Sequence, residues 1–536
     1  MSNRFITILA VIAAIVVVLS VATFRNNQYK IEEYKRMEAF MMSMGNDYKK
    51  SSSDTLNSDS YSNKSDHGYA KGIVNPAPGQ PIKKFRLTAR EVQIEIAEGL
   101  TIPVWTYNGT VPGQEIRVKQ GDFVQVELRN DLKVPITIHW HGYPLKSAMD
   151  GVPGLNQDAI KPGETFTYEF SADVEGTYWY HSHQEGAKQV DKGLYGALIV
   201  EPNDASLPDR DYTLILDEWM SVSMEEDMGS MDMSSYTLDD LIQIEEDMMA
   251  SSYDIYTVNA KSGKLIQPLE AKVGETIRLR FINAGYRSHG IHVPGQDIKI
   301  VSTDGQEING AGIIRDQIVM IAPGERYDIE FKINSKDNFI IDAHDENGYN
   351  NQLRIPFNII DGSGAVSVEE FGTEYTEFDL TSYGIKTKGQ LALQQVYDVI
   401  YEVELGIASA ESLKYTINGK VYKELPALKV KTGDKVKISY FNNSKVNHPM
   451  HLHGHFFQVL SRNSIALSGA LVTKDTLMIK PGEKYEVAFI ADNTGNWVQH
   501  CHELHHAAGG MMQAIEYTDF ESNYEADPKA TYNIPE

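Results

Sequence analysis

Apolar and polar residues alternate along most of this chain, and the alternation restarts after the same turns. A K-x-G-[DE] turn opens KQGDFVQVEL at Lys119, KVGETIRLRF at Lys272 and KTGDKVKISY at Lys431. A PGE turn opens PGETFTYEF at Pro162, PGERYDIEF at Pro323 and PGEKYEVAF at Pro481. Period-two apolar patterning bounded by Gly and Pro turns predicts half-buried β-strands. Many short strands at regular spacing predict β-sandwiches. Recurrence of both turns predicts three homologous all-β domains in tandem, over residues 81–204, 205–365 and 366–522, with a tail at 523–536. Any array of β-sandwiches shares this patterning, so it names no function.

The chain before the first repeat does not alternate. FITILAVIAAIVVVLSVATF, from Phe5 to Phe24, contains no charge. At 1.5 Å per residue a run of this length covers roughly the 30 Å hydrocarbon core of a bilayer. Cleaved signals usually have a shorter apolar region, so residues 1–27 are expected to be a transmembrane helix anchoring the protein outside the cytoplasm. Ser20-Val21-Ala22 offers a cleavage site, and secretion after cleavage is the alternative. Residues 28–44 read as a short charged helix, and 45–80, rich in Ser, Asp, Asn and Lys, as a disordered tether.

Composition narrows the classes. A length of 536 residues exceeds what one core serves. One cysteine excludes an intramolecular disulfide framework. A net charge of -25 disfavours nucleic acid as a partner. From Asp211 to Ala260 there are thirteen acidic residues and no Lys or Arg. The same stretch holds Met220, Met224, Met228, Met231, Met233, Met248 and Met249. Two readings stand: a solvated loop, or a segment that attracts a soft cation, since carboxylates draw cations and thioethers select Cu(I).

Histidine placement carries the chemistry. Ten of sixteen histidines fall in four short clusters: His139 and His141; His181 and His183; His448, His451 and His453; and His500, His502 and His506. On a strand, residues i and i+2 point to one face, so each H-x-H pair offers two imidazoles to one side. In His500-Cys501-His502 the cysteine must point the other way, toward a separate site. Eight imidazoles suit a cluster of copper ions, and a His–Cys–His set with a weak axial Met suits a blue-copper centre. Zinc could take one or two of these histidines, but structural zinc closes with four ligands.

These four clusters resemble those of the three-domain multicopper oxidases of the laccase and copper-resistance class, over about residues 80 to 520. The resemblance implies cupredoxin-like Greek-key β-sandwiches and four copper ions, with a trinuclear cluster between the first and third domains. It implies His448, Cys501, His506 and Met511 as the type 1 site, and His139 and His451 as type 2 ligands. The type 3 pair would be held by His141, His181, His183, His453, His500 and His502. The implied reaction is one-electron oxidation of a substrate coupled to four-electron reduction of O2 to water. Met511 at the axial place suggests a lower potential than Leu or Phe there. Asp150, in MDGVPG, matches the family's acidic residue near the cluster and is expected to donate protons or organise the site. Ala507 stands where many bacterial relatives have a glutamate, which leaves Glu503 as the candidate for a second proton path.

The middle repeat has Ser288-His289-Gly290-Ile291-His292 and Asp342-Ala343-His344 at the corresponding places. Without a cysteine or paired H-x-H motifs, no copper is expected there. Cu(I) oxidation in copper tolerance is the expected activity, with phenols or aromatic amines as small organic reductants. A copper nitrite reductase, or a non-enzymatic copper-binding or electron-transfer protein, is the alternative. Oligomeric state is not legible.

Overall fold

The computed structural model describes residues 75–203, 207–221, 237–238, 240–243, 252–345, 348–366, 375–409, 413–527 and 530–536. The apolar run, the charged helix, nearly all of the tether and most of the methionine-rich segment lie outside these. Among the described residues no helix is long and apolar enough to cross a membrane.

The compact unit formed by residues 61–219, 255–408 and 414–536 contains the predicted strands, arranged as three pairs of sheets. In the first repeat one sheet runs Leu100–Tyr107, Ile82–Ala97, Phe123–Asn130, Thr165–Ser171, and the other Gly113–Lys119, Tyr195–Glu201, Gly176–His181, His139–His141. The same two parallel pairings recur in each repeat. Ile82–Ala97 lies parallel to Phe123–Asn130, Arg210–Trp219 to Thr276–Asn283, and Val399–Ser409 to Lys435–Asn442. On the facing sheets Gly113–Lys119 runs parallel to Tyr195–Glu201, Leu269–Ala271 to Gly348–Ile359, and Leu428–Val430 to Met512–Tyr517. The same mixed topology three times over makes these cupredoxin-like repeats of one design. One strand reaches past the expected boundary at residue 365: Thr376–Glu377 pairs with Gln317–Ile321 of the second repeat.

The alternating turns-and-strands pattern is seen in burial. Thr165–Ser171 buries Phe166, Tyr168 and Phe170 and turns the residues between them outward. Between Trp219 and Ile255, which pair directly, the chain carries its acidic insertion. Of the separate unit that includes residues 220–254, Ser221 bonds Asp254 through both its amide and hydroxyl, and Thr237 bonds Asp240 in the same way.

One buried residue type recurs ahead of the corresponding histidine in each repeat. Asn130, Asn283 and Asn442 each end a strand, and each is fully buried. The Asn130 Nδ2 donates to the carbonyls of Val134 and Ile160, both at 2.8 Å. Asn283 does the same to Arg287 and Ile321, and Asn442 to Val446 and Ile479. Each Oδ1 accepts an amide two residues on. His139, His292 and His451 all stand nine residues after this asparagine.

Replacing one such amide removes three hydrogen bonds to buried backbone groups. Asn442→Ala is therefore expected to destabilise by about 2–4 kcal/mol, measured as lost thermal or denaturant stability of the full chain. An unchanged unfolding midpoint would contradict the role given to this side chain.

Candidate metal centre

Strand pairing assembles the histidines. His139–His141 lies antiparallel to Gly176–His181, with His139 opposite His181. In the third repeat His448–Leu452 lies antiparallel to Asn496–Cys501, with His451 opposite His500 and Met450 opposite Cys501. The two ribbons bring eight imidazoles from the first and third repeats together, all buried. Their ligand atoms fall into three groups within 4.8 Å: His139, His141 and His451; His141, His181 and His502; His183, His453 and His500. A fourth group, His448, Cys501 and His506, is separate from these. One residue's turn of strand divides the two sites.

Backbone, hydroxyl and carboxylate partners fix which nitrogen of most of these rings faces inward. His139 Nδ1 is 2.9 Å from the Asp150 carbonyl, and His453 Nδ1 is 2.9 Å from Asp150 Oδ2. His181 Nδ1 meets the Ser182 carbonyl at 2.9 Å, and His451 Nδ1 meets the Asp475 carbonyl at 3.0 Å. His500 Nδ1 meets the Cys501 carbonyl at 2.9 Å. His141 is held by its other nitrogen, Nε2, 3.1 Å from Thr476 Oγ1 and 3.3 Å from Asp475 Oδ1. That leaves His139 Nε2, His141 Nδ1, His181 Nε2 and His451 Nε2 buried with no hydrogen-bond partner. Unpartnered buried imidazole nitrogens aimed at one another are costly unless a cation takes their lone pairs. The donor set fits a cluster of copper ions.

Burial keeps most of the rings neutral; His183 is the exception, pushed up against its burial by the Glu536 carboxylate. Desolvation, reinforced by neighbouring imidazoles, pushes His141, His181, His448, His453, His500 and His502 well below the ordinary histidine value, and His139 below it too. Neutral imidazole is the metal-binding form.

At the second site the Cys501 Sγ is 3.6 Å from both His448 Nδ1 and His506 Nδ1. Burial pushes its thiol up, so a cation is needed to hold it as thiolate. Met511 is fully buried; its carbonyl accepts from the Cys501 amide and its amide donates to the His506 carbonyl, both at 3.0 Å. Ser444 Oγ lies 2.8 Å from His448 Nε2, and Tyr415 stacks on His506 at 3.9 Å. The set of one cysteine sulfur and two imidazoles, with the Met511 backbone bonded to both Cys501 and His506, fits a single copper.

Glu503 lies on this second site. It caps the helix Leu504–Ala508 through the His506 amide at 2.8 Å. Its oxygens also meet His505 Nδ1 at 2.7 Å and His506 Nε2 at 3.1 Å. Against the cost of burial, His506 and His505 hold its carboxyl down to about 2. Asp150 lies instead at the eight-imidazole site, with Oδ1 3.2 Å from His139 Nδ1.

Sequence reading missed two carboxylates. Asp475, between Lys474 and Thr476, had no signal beyond an ordinary strand residue. Glu536 reaches the site from the tail: its Oε1 is 3.0 Å from His183 Nε2. The tail is seated by Gln184 Nε2 on the Tyr532 carbonyl, the Glu185 amide on the Ile534 carbonyl, and Asn533 Nδ2 on Asp158. Contacts this distant along the chain leave no spacing pattern.

The second repeat keeps the register and lacks the ligands. Ala343 pairs with Ile291 as Cys501 pairs with Met450. His289 is bonded to Glu218, and His292 Nδ1 lies 3.1 Å from Asp342.

Comparison with known proteins agrees with the geometry. Multicopper oxidase family profiles match residues 88–205, 210–361 and 398–520. The chain is 29% identical over 452 residues to multicopper oxidase MmcO of Mycobacterium tuberculosis, covering 80% of this chain and 86% of that one. It is 23% identical over 565 residues to a copper resistance protein A homolog of Pseudomonas syringae, covering 82% and 94%. A multi-copper oxidase structure from Pseudomonas thermotolerans superposes with a TM-score of 0.62 at 27% identity, covering 82% of this chain and 99% of that one. Sheets, histidine clusters and profiles together define a copper-dependent oxidase. The chain belongs to the multicopper oxidase family, whose members bind four coppers and couple substrate oxidation to the reduction of O2 to water.

The neutral imidazoles make a pH prediction. Their folded pKa values lie below the unfolded value of about 6.5, so the unfolded chain binds more protons below that pH. The contribution of these imidazoles to the stability of copper-free protein is therefore fully present above about pH 6.5 and falls as pH drops. Thermal unfolding of copper-free protein at pH 7.5 and pH 5 checks this; equal midpoints would contradict the burial argument.

Proposed function

We propose that this chain is a cuprous oxidase that also accepts small organic reductants such as phenols and aromatic amines. His448, Cys501, His506 and Met511 hold the type 1 copper, and His139 and His451 the type 2 copper. His141, His181 and His502 hold one type 3 copper, and His183, His453 and His500 the other. Copper held in these places would supply one-electron redox chemistry, accepting electrons from a substrate one at a time and passing four to O2.

The chain's own contribution is wiring and orientation. Cys501 is joined by peptide bonds to His500 and His502, so the electron-entry site and the oxygen site share one stretch of backbone. Asp150 holds His139 and His453 at once and is the group we assign to organising protons at the cluster. Glu503, with its oxygens on His505 and His506, serves the type 1 side by fixing the His506 ring.

The observation that carries the substrate is the acidic insertion between Trp219 and Ile255. It combines seven methionines with carboxylates, the pairing that recruits a soft cation. The similarity to copper resistance proteins supports it. The apolar run Phe5–Phe24 supports a site of action outside the cytoplasm, on a membrane tether.

Deleting residues 220–249 is expected to lower kcat/KM for Cu(I) about tenfold, equivalent to ~1.4 kcal/mol, with little change for an organic dye. Equal losses on both substrates would remove the insertion from the mechanism.

A further inference from the structure

The second repeat carries no cysteine and no H-x-H pair, yet it meets the oxygen site through one of the turns that define the repeats. In the first and third repeats the residue after PGE is Thr165 or Lys484, exposed or half-buried. In the second it is Arg326, which is completely buried. Its Nη1 and Nη2 donate to Asp475 Oδ1 and Oδ2 at 2.7 and 2.6 Å. Its Nε donates to the Thr177 carbonyl and its Nη1 also to the Gly324 carbonyl, both at 3.1 Å, while its amide donates to Asp304 Oδ1 at 3.0 Å. The guanidinium is thus anchored to all three repeats.

Asp475 transmits the contact. Its Oδ1 accepts from Thr476 Oγ1 at 2.9 Å and lies 3.3 Å from His141 Nε2, and its carbonyl lies 3.0 Å from His451 Nδ1. Beside it, Lys474 Nζ reaches Asp304 Oδ2 at 3.1 Å, Glu325 Oε1 at 3.3 Å and Thr303 Oγ1 at 2.7 Å. Two glycines show how tightly the turn is seated. Gly142, which follows His141 with φ +75, leaves the space that Arg326 and Asp475 occupy, and a Cβ there would overlap both. At Gly324, inside the turn with φ +83, a Cβ would come within 2.8 Å of the His502 ring.

An apolar pair of similar volume would often be as stable as a buried ion pair. A two-pronged guanidinium–carboxylate contact adds what an apolar pair lacks, a fixed orientation for the carboxylate.

We infer that the Pro323–Arg326 turn is a positioning element of the trinuclear site: Arg326 fixes Asp475 against His141 and His451, while Gly324 backs His502. The repeat without paired histidines thereby sets the orientation of imidazoles supplied by the other two. This rests on the assignment of His141, His451 and His502 as copper ligands.

The test uses the full copper-loaded chain and three variants: R326M, R326K and R326M/D475L. R326M strands a buried carboxylate and is expected to fold poorly. R326K keeps the charge without the fork, and the double variant replaces the pair by apolar groups, so these two carry the test. Readouts are copper per chain, blue absorption from the type 1 site, the paramagnetic signal of the type 2 copper, near-ultraviolet absorption of the type 3 pair, and unfolding of copper-free protein. Expected is full blue absorption, near-normal unfolding, and cluster copper lost to a chelator at roughly 10–100-fold lower concentration. A folded R326K or double variant that keeps cluster copper like wild type overturns the inference. Wild type lacking the blue absorption or binding fewer than four coppers overturns instead the ligand assignment beneath it.

Discussion

Side chains on a β-strand alternate sides, and that constraint organises the whole oxygen-reducing apparatus. His500 and His502 face the eight-imidazole site, so Cys501 faces the site of His448 and His506. Two separately built metal sites are joined by the shortest covalent path a polypeptide allows. Everything else has to respect that strand. The antiparallel neighbour must offer His451 to one face and His448 to the other, which it does with a strand pairing Met450 to Cys501. The first repeat must then deliver two more H-x-H pairs to the same face.

Eight buried imidazoles are not a stable core by themselves. Each has two nitrogens to satisfy, and the interior offers little water. The protein spends one nitrogen of most rings on a carbonyl, hydroxyl or carboxylate and leaves the other inward. Asp150 and Asp475 hold two rings each, His139 and His453 for the one and His141 and His451 for the other. Their anchoring differs: Asp150 comes with the first repeat's own loop, whereas Asp475 is pinned by Arg326 from the second repeat. The three repeats therefore meet at one site, the second bringing charge and shape and the first and third bringing the imidazoles.

Much of this was legible in the sequence, for identifiable reasons. Strand ligands two residues apart advertise themselves, as His139-Trp140-His141 does, because the spacing is set by backbone geometry. The recurrent K-x-G-[DE] and PGE turns exposed the repeats because each needs a glycine to reverse the chain. Partners that act at a distance left no such mark. Arg326 looked like one more turn residue, Asp475 like one more strand residue, and Glu536 like part of a tail. Glu503 was visible, but its neighbours were not. Its carboxylate caps the following helix and lies on His505 and His506.

The division of labour around Cys501 makes one quantity decisive. If electrons entering at the cysteine site are gathered by the eight-imidazole site before oxygen is released, oxygen is consumed without partly reduced products. Oxygen uptake and peroxide release, followed together during turnover of copper-loaded protein with Cu(I), measure this directly. The account predicts four electrons drawn from substrate for each O2 consumed, with no peroxide in solution. Two electrons per O2 with accumulating peroxide, from protein holding all four coppers, would contradict it.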